Sequence, residues 1–276
     1  MNYYQAFILA VIEGLSEFLP ISSTAHLLLA QKFLQISDLQ FTASFNIFIQ
    51  LGAMCALLAY FIRDLCASKK LWGKLIATTI PTILIGTICY RFIKNYLAHA
   101  NYITGIVLIG MGVVFSVLDY WWTKKTPPKN LAYLDEIKQT SYPKMMGIGV
   151  FHSLAIIPGV SRSGACSFAA RGFGLSKMAA TKLAFILGLP IIAGASLLDL
   201  SKEFSQLKTC SKQLNCQSVF LTSGNTYLML FGFGVAFIVA LLTAPTFIKL
   251  MANKPFWYFG LYRLFIGSLY LWAYLF

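Results

Sequence analysis

The chain has 276 residues, of which 58% are hydrophobic and only 11% are charged, and its mean hydropathy is +0.71. Since soluble domains carry about 25% charged residues, this composition excludes an ordinary soluble protein and predicts one integral membrane domain over 1–276. The formal net charge of +13 does not indicate a nucleic-acid partner, because the basic residues are spread over short loops between apolar segments. Residues 1–10 have no positively charged region, so no cleaved signal peptide is expected.

Six segments along the chain are long and apolar enough to span a bilayer, whose core needs about 20 helical residues. They are 41–62, 75–92, 102–122, 183–200, 226–248 and 256–276. Two further apolar segments, 4–36 and 145–175, are interrupted by Pro, Gly, Ser and charged residues. Interrupted backbone is tolerated inside a membrane only where it faces protein or water. We therefore predict an all-α polytopic protein with six transmembrane helices and two re-entrant helical hairpins.

The Lys and Arg residues predict how these spans are oriented. If each interrupted segment returns to the side it left, the loops on one side hold 14 of the 22 Lys and Arg residues, and the loops on the other side hold 6. The more basic loops of multi-pass proteins face the cytoplasm, so we predict both termini outside. Cys210 and Cys216 then share an outer loop. The sequence fits two alternatives there, a disulfide between them or two free thiols.

The two halves of the chain are similar in organisation. A polar string at Glu13–His26 opens one half, a polar string at Pro158–Gly164 opens the other, and three spans follow each string. The second half therefore begins on the opposite face of the membrane. This pattern predicts an inverted-topology repeat of 1–122 and 145–276, with a site where the broken helices meet near the midplane. We expect that site to open outward.

The first string combines two carboxylates with three hydroxyls and an imidazole. Glu13 and Glu17 are spaced i, i+4, which places both carboxylates on one face of a helix. Pro20 is expected to end that helix. The next helix begins with residues suited to capping and to contact with an anion: Ser22, Ser23, Thr24 and His26.

The second string predicts another helix N-terminus. Pro158–Gly159 forms a turn, and Ser161 can cap the helix that follows. Arg162 suits a phosphate because its planar guanidinium binds two oxygens at once. Ser163 lies at the same helix start, and Gly164 would let a phosphate oxygen approach the backbone closely.

Buried charge distinguishes these strings from ordinary helix caps. Capping alone explains the serines, but each charge at the bilayer centre costs about 2.5–3.5 kcal/mol on insertion scales, and Glu13, Glu17 and Arg162 all lie at that depth. This cost favours a functional site over a purely structural ion network. Arg263 lies inside the last predicted span, where it needs a partner. The sequence fits two alternative roles for it, contact with an anion and structural pairing.

At these residues the chain resembles the undecaprenyl-diphosphate phosphatases of the bacitracin-resistance type. The strings at 13–26 and 158–164 are similar to the two signature motifs of that family, and the likeness includes Phe48–Gly52 and Tyr262–Arg263. The resemblance implies an enzyme of the bacterial inner membrane that hydrolyses undecaprenyl diphosphate to undecaprenyl phosphate. Such an enzyme recycles the lipid carrier for cell-wall synthesis and confers bacitracin resistance. The resemblance also implies a homodimer among the membrane lipids and dependence on a divalent cation, Mg²⁺ or Ca²⁺.

By motif position the resemblance implies a functional set of Glu13, Glu17, Ser23, His26, Ser161 and Arg162. We assign their roles as a hypothesis, with Arg162 also in the catalytic group. Glu13 and Glu17 would hold the metal. Ser23 or His26 would attack the terminal phosphorus, with the other residue activating it. The residues that would bind the phosphates are Ser22, Thr24, Ser161, Arg162, Ser163, Gly164 and Arg263.

Two departures from the family pattern bear on the site. Cys166 stands where the family commonly has Thr, and a thiol is a poorer hydrogen-bond donor, so a phosphate contact there would be weakened or moved. His152 stands where Gln is frequent, which leaves its role open. A transporter of a lipid phosphate or an organic anion is the rival function, because inverted repeats with broken helices are typical of transporters.

Overall fold

The computed structural model describes residues 1–66, 68–96, 101–125, 131–210 and 223–275. Within these ranges the chain is helical and contains no strand. The helices are α1 (Tyr3–Ser16), α2 (Ser23–Phe33), α3 (Leu39–Cys66), α4 (Lys69–Tyr96), α5 (Asn101–Lys125), α6 (Tyr133–Gln139), α7 (Tyr142–His152), α8 (Arg162–Gly172), α9 (Lys177–Cys210), α10 (Ser223–Asn253) and α11 (Trp257–Leu275). A 3-10 turn at Ser153–Ile156 follows α7. The question of a Cys210–Cys216 disulfide lies outside the described residues, because Cys216 is not among them.

Five helices of the described ranges are long and apolar enough to cross a membrane. They lie at Phe41–Cys66, Lys69–Cys89, Tyr102–Trp122, Lys177–Leu198 and Asn225–Asn253. These are the positions of five of the six predicted spans, and the chain is therefore an all-helical, multi-pass membrane protein. The sixth predicted span forms α11, which is 19 residues long. It is not among the five because Arg263 and its many Tyr and Trp residues lower its mean hydropathy.

Each interrupted segment folds as two short helices joined by a turn. α1 and α2 form the first pair and α7 and α8 the second, and none of the four exceeds 14 residues.

α1 begins with a capping box between Asn2 and Gln5. It ends at Ser16, well before Pro20, so the prediction that Pro20 ends this helix was wrong. Glu17 caps the helix with helical dihedral angles, and its N–H bonds to the Glu13 carbonyl, so the two carboxylates keep their i, i+4 relation.

Close helix packing forms the bundle. α11 packs along α5, and α10 packs against both α3 and α1. These approaches rely on small residues, as is usual between membrane helices: a Cβ on Gly52 of α3 would lie 2.6 Å from the Phe233 carbonyl oxygen of α10, and one on Gly112 of α5 would lie 2.9 Å from the Gly260 carbonyl oxygen of α11. Two helix pairings recur between the halves, since α1–α10 matches α7–α4 and α1–α2 matches α7–α8.

The short helix α6 lies in a region predicted to be a loop. Glu136 of α6 is buried and accepts hydrogen bonds from the backbone N–H and the hydroxyl of Ser176, at 2.6 and 2.5 Å, where α9 begins. The Tyr133 hydroxyl donates to Asp64 of α3. Burial and the Asp64 carboxylate raise the pKa of Tyr133 above its ordinary value, so its hydroxyl remains a donor. α6 therefore connects α3 with α9 on the side that carries the more basic loops.

Candidate active site

The turns of the two interrupted segments meet at one cavity of about 180 Å³. It is lined by Glu17, Leu19, Ser22, Ser23 and Thr24 of the first segment, by Ala155, Ile157, Pro158, Gly159, Ser161, Arg162 and Ser163 of the second, and by Gln50 of α3 and Ile192 of α9. Sites for drug-sized ligands measure about 300–1,000 Å³. The cavity therefore fits a polar headgroup rather than a whole lipid.

Two helices begin at this cavity after residues with left-handed backbone. Ser22 precedes α2 with φ of 69°, and Ser161 precedes α8 with φ of 75°. Such dihedral angles are costly for residues other than glycine and persist where the surrounding structure holds them, often at functional sites. The Ser161 hydroxyl accepts a hydrogen bond from the Gly164 N–H at 3.3 Å, so the predicted cap is confirmed. Ser22 makes no such bond. The first-turn N–H groups of α2 and α8 favour an anion in the cavity.

Glu17 connects the two polar strings. Its Oε2 accepts a hydrogen bond of 2.5 Å from the Ser23 hydroxyl, and its Oε1 pairs with Nη2 of Arg162. Arg162 also donates from Nη1 to the Gly188 carbonyl oxygen of α9 at 3.3 Å. A hydroxyl, a carboxylate that can take its proton, and a guanidinium are thus held together at the cavity.

Arg263 links the backbones of the two turns. It is fully buried, and it donates from Nη1 to the Pro20 carbonyl oxygen at 3.0 Å and from Nη2 to the Gly159 carbonyl oxygen. Its guanidinium also lies over the Phe115 ring, 4.9 Å from the centroid. Of the two roles left open for Arg263, this geometry favours structural pairing. Contact with a phosphate stays a prediction.

The remaining members of the predicted phosphate-binding set occupy different positions. The Ser163 hydroxyl donates to the Leu19 carbonyl oxygen at 3.1 Å, which adds a second link between the two segments. Thr24 is exposed and lines the cavity. Gly164 does not line it, and a Cβ there would lie 2.5 Å from the Phe115 ring. Packing on Phe115 therefore restricts this position to glycine, and close approach of a phosphate to Gly164 stays a prediction.

Glu13 is fully buried one helical turn from Glu17. Neither of its carboxylate oxygens has a hydrogen-bond partner among the residues that the structure describes. An unpaired buried carboxylate is costly, so the position fits a bound cation or a proton. No group of three or more His, Cys, Asp or Glu residues in the described part of the chain is arranged to hold a metal. Among the described His, Cys, Asp and Glu residues, the side chains offered to a cation here are therefore the two carboxylates of Glu13 and Glu17.

His26 faces away from the cavity that Ser23 lines. Its Nδ1 lies 2.8 Å from the Ser22 carbonyl oxygen, and its Nε2 lies 3.0 Å from the Tyr262 hydroxyl. Since a carbonyl only accepts, Nδ1 carries the proton and Nε2 accepts from Tyr262. His26 and Tyr262 line an apolar groove of about 480 Å³ between α1, α10 and α11. The geometry therefore pairs Ser23 with Glu17 and not with His26.

A second apolar groove, of about 490 Å³, lies between α3, α4 and α9. Met54 lines it, and the Met54 sulfur lies 3.9 Å from Nη2 of Arg162. The other groove adjoins the cavity through Leu19, which lines both. Apolar surface therefore lies next to the polar cavity on two sides.

Gln50 lines the cavity, although it is not among the predicted site residues. The available signals were an amide near the middle of an otherwise apolar span and its place in Phe48–Gly52, where the chain resembles the family. Cys166 is fully buried in the hydrophobic core, and it does not line the cavity. His152 is also buried, and within the described ranges neither of its ring nitrogens has a hydrogen-bond partner. The two departures from the family pattern therefore lie outside the cavity wall.

Comparison with known proteins identifies relatives over almost the whole chain. The family model described as "Bacitracin resistance protein BacA" matches residues 6–269. The undecaprenyl-diphosphatases of Aquifex aeolicus and Persephonella marina are each 33% identical to this chain, and the alignments cover 98% of both chains. The undecaprenyl-diphosphatase of Campylobacter hominis is 35% identical over 97% of each chain.

Proposed function

This chain belongs to the bacitracin resistance protein BacA family, and we propose that it hydrolyses undecaprenyl diphosphate to undecaprenyl phosphate and inorganic phosphate. One observation carries the proposal: a cavity of headgroup size is lined by Arg162, by two helix N-termini, and by Ser23 bonded to Glu17. The protein is then a membrane-bound hydrolase that recycles the lipid carrier for cell-wall synthesis and confers bacitracin resistance.

Ser23 is the nucleophile that the geometry supports best. Its oxygen attacks the terminal phosphorus while its proton passes to Oε2 of Glu17. The bond from that phosphorus to the bridging oxygen breaks, and undecaprenyl phosphate leaves. Water then attacks the phosphoserine, which releases inorganic phosphate and restores the hydroxyl. His26 holds the turn at Ser22 in this scheme.

Arg162 and the first-turn N–H groups of α2 and α8 stabilise negative charge on the phosphate oxygens. Donors fixed in place before the reaction are effective because they need no reorganisation as charge develops. The Glu17 carboxylate holds the guanidinium in position, and the Gly188 carbonyl oxygen orients it from α9.

Glu13 and Glu17 would hold the divalent cation, Mg²⁺ or Ca²⁺. The unpaired, fully buried Glu13 carboxylate fits this role. Mg²⁺ is commonly bound by one or two carboxylates together with substrate phosphates, which suits a site with two protein ligands. When bound, such a cation neutralises charge on phosphate oxygens.

The protein would sit in the bacterial inner membrane with six spans, two re-entrant hairpins and both termini outside. The inverted repeat of 1–122 and 145–276 is supported by helix pairings that recur between the halves. The diphosphate would enter from the outer side, with the prenyl chain among the spans, and the enzyme would act as a homodimer.

Release of phosphate by the purified protein in detergent tests the function. We expect the wild type to release phosphate from undecaprenyl diphosphate and the variants Arg162→Ala and Glu17→Ala to lose this activity. Arg63→Ala, at an exposed arginine of α3, is the matched control. Movement of the lipid across vesicles without phosphate release would instead support the transporter.

A further inference from the structure

We propose that Gln50 binds the lipid substrate by donating a hydrogen bond from its side-chain amide to the diphosphate. This inference rests on the proposed function. It adds a binding residue on the α3 wall of the cavity, which neither polar string supplies.

Gln50 is directed at the cavity by its position on α3. The side chain is half-buried and lines the cavity, whereas its neighbours face elsewhere. Ile49 is fully buried in an apolar cluster, and Leu51 lines the groove between α3, α4 and α9. The helix therefore presents one polar side chain to the cavity at this level.

Met54 locates Gln50 relative to Arg162. The two residues are spaced i, i+4 and share one face of α3. The Met54 sulfur contacts Nη2 of Arg162 at 3.9 Å, so Gln50 lies one helical turn along α3 from a residue that touches the guanidinium, and Gln50 and Arg162 both line the cavity. A headgroup held by Arg162 would then lie next to Gln50.

The Gln50 amide is available to a ligand. Glu17, Ser23 and Arg162 are bonded to one another. By contrast, no hydrogen bond joins the Gln50 side chain to any residue that the structure describes. The amide is therefore a donor with no internal competitor.

An incoming diphosphate needs a donor on this side. Met54 contacts Arg162, and Ile192 forms part of the cavity wall. A phosphate oxygen that faces such apolar side chains loses its hydration without replacement. The amide supplies a hydrogen bond and adds no charge, so the pairing of Glu17 with Arg162 is undisturbed.

The test compares Gln50→Ala, Gln50→Asn and Gln50→Glu in two assays. One is hydrolysis of undecaprenyl diphosphate in detergent, and the other is calorimetric binding of inorganic diphosphate. We expect Gln50→Ala to raise KM about tenfold or more with little change in kcat, as for a lost hydrogen bond to a charged group. Gln50→Glu has nearly the same shape but repels the anion, so it should raise KM further and weaken diphosphate binding further. The KM of Gln50→Asn should lie between those of the wild type and Gln50→Ala.

Gln139→Glu, the same change at the exposed end of α6, is the matched control. Wild-type KM and diphosphate affinity in Gln50→Ala and Gln50→Glu would overturn the proposal, as would a fall in Tm alone. If the wild type itself releases no phosphate, the proposed function is wrong. The calorimetric binding of inorganic diphosphate then still decides whether Gln50 contacts the anion.

Discussion

Ser23, Glu17 and Arg162 come from two strings far apart in the chain and form one hydrogen-bonded unit at the cavity. Ser23→Ala removes the nucleophile and should abolish turnover. Glu17→Gln keeps the shape of the side chain but cannot accept the Ser23 proton, so kcat should fall by about 10²–10⁴-fold, the usual contribution of a general base. Steady-state phosphate release measures both effects.

Ser141→Ala, at an exposed residue before α7, controls for the loss of a serine and should retain full activity. Rapid quenching of the wild-type reaction should trap phosphate on Ser23. Recovery of the label on His26 instead would contradict the assignment of the nucleophile.

The position of Cys166 predicts that its side chain does not affect substrate binding. The thiol is fully buried and does not line the cavity, so Cys166→Thr should leave KM within about twofold of the wild type. The new hydroxyl can donate to the Arg162 carbonyl oxygen four residues earlier in α8, as the buried hydroxyls of Thr78 and Thr82 do to their i−4 carbonyls, so Tm should stay close to that of the wild type. Thermal unfolding and steady-state kinetics measure the two effects. A KM that drops markedly in Cys166→Thr would instead indicate a phosphate contact at this position.

At the scale of elements, Arg263 of α11 joins the two interrupted segments through the carbonyl oxygens of Pro20 and Gly159. Arg263→Leu leaves two buried acceptors without a donor, at a cost of about 1–3 kcal/mol each. We expect a lower Tm and a lower kcat/KM together, because the two helix starts are no longer held in register. Arg263→Lys retains the charge but not the fork that reaches both carbonyls, so it should rescue little.

Arg63→Lys is the control for this pair, since Arg63 is exposed. The alternative role of Arg263 gives a different result. If Arg263→Leu keeps the wild-type Tm and loses only its affinity for inorganic diphosphate, Arg263 contacts the anion.

Hydropathy predicted five of the spanning helices because apolar length is a local property of sequence. The prediction placed α11 correctly as a helix. It is not among the five apolar spanning helices, because its Tyr and Trp residues and Arg263 lower its mean hydropathy. The seven-residue α6 was missed because its stability depends on Glu136 bonding to Ser176, 40 residues away. The end of α1 at Ser16 was missed because the turn after it is held by contacts with the second segment.

The candidate site was predicted in composition rather than in geometry. The polar strings identified Glu17, Ser23 and Arg162, because charged and hydroxyl groups stand out in apolar sequence. They could not show that His26 bonds to Tyr262, a residue 236 positions away, or that Gly164 packs on Phe115. Gln50 was given no role, although it lies in the Phe48–Gly52 segment of the family likeness, because one amide in an apolar span is a small signal; the role proposed for it depends on the helix face that it occupies.

At the scale of the whole molecule, the charge distribution predicts which ends of the helices face the cytoplasm. Cys66 is exposed at the end of α3 and adjoins a loop on the side with 14 of the 22 Lys and Arg residues. Cys210 ends α9 on the opposite side. A membrane-impermeant maleimide, applied after reduction to a Cys216→Ser variant, should label Cys210 in right-side-out vesicles and Cys66 in inverted ones. Mass spectrometry of the two peptides gives the label at each site.

The two cysteines act as controls for each other, because a leaky preparation labels both in either kind of vesicle. Labelling of Cys66 alone in right-side-out vesicles would reverse the orientation, since the basic loops would then lie outside. The same vesicles also test where the site opens. If both termini and the opening are outside, right-side-out vesicles should release phosphate from added undecaprenyl diphosphate without permeabilisation, and inverted vesicles should do so only after detergent is added.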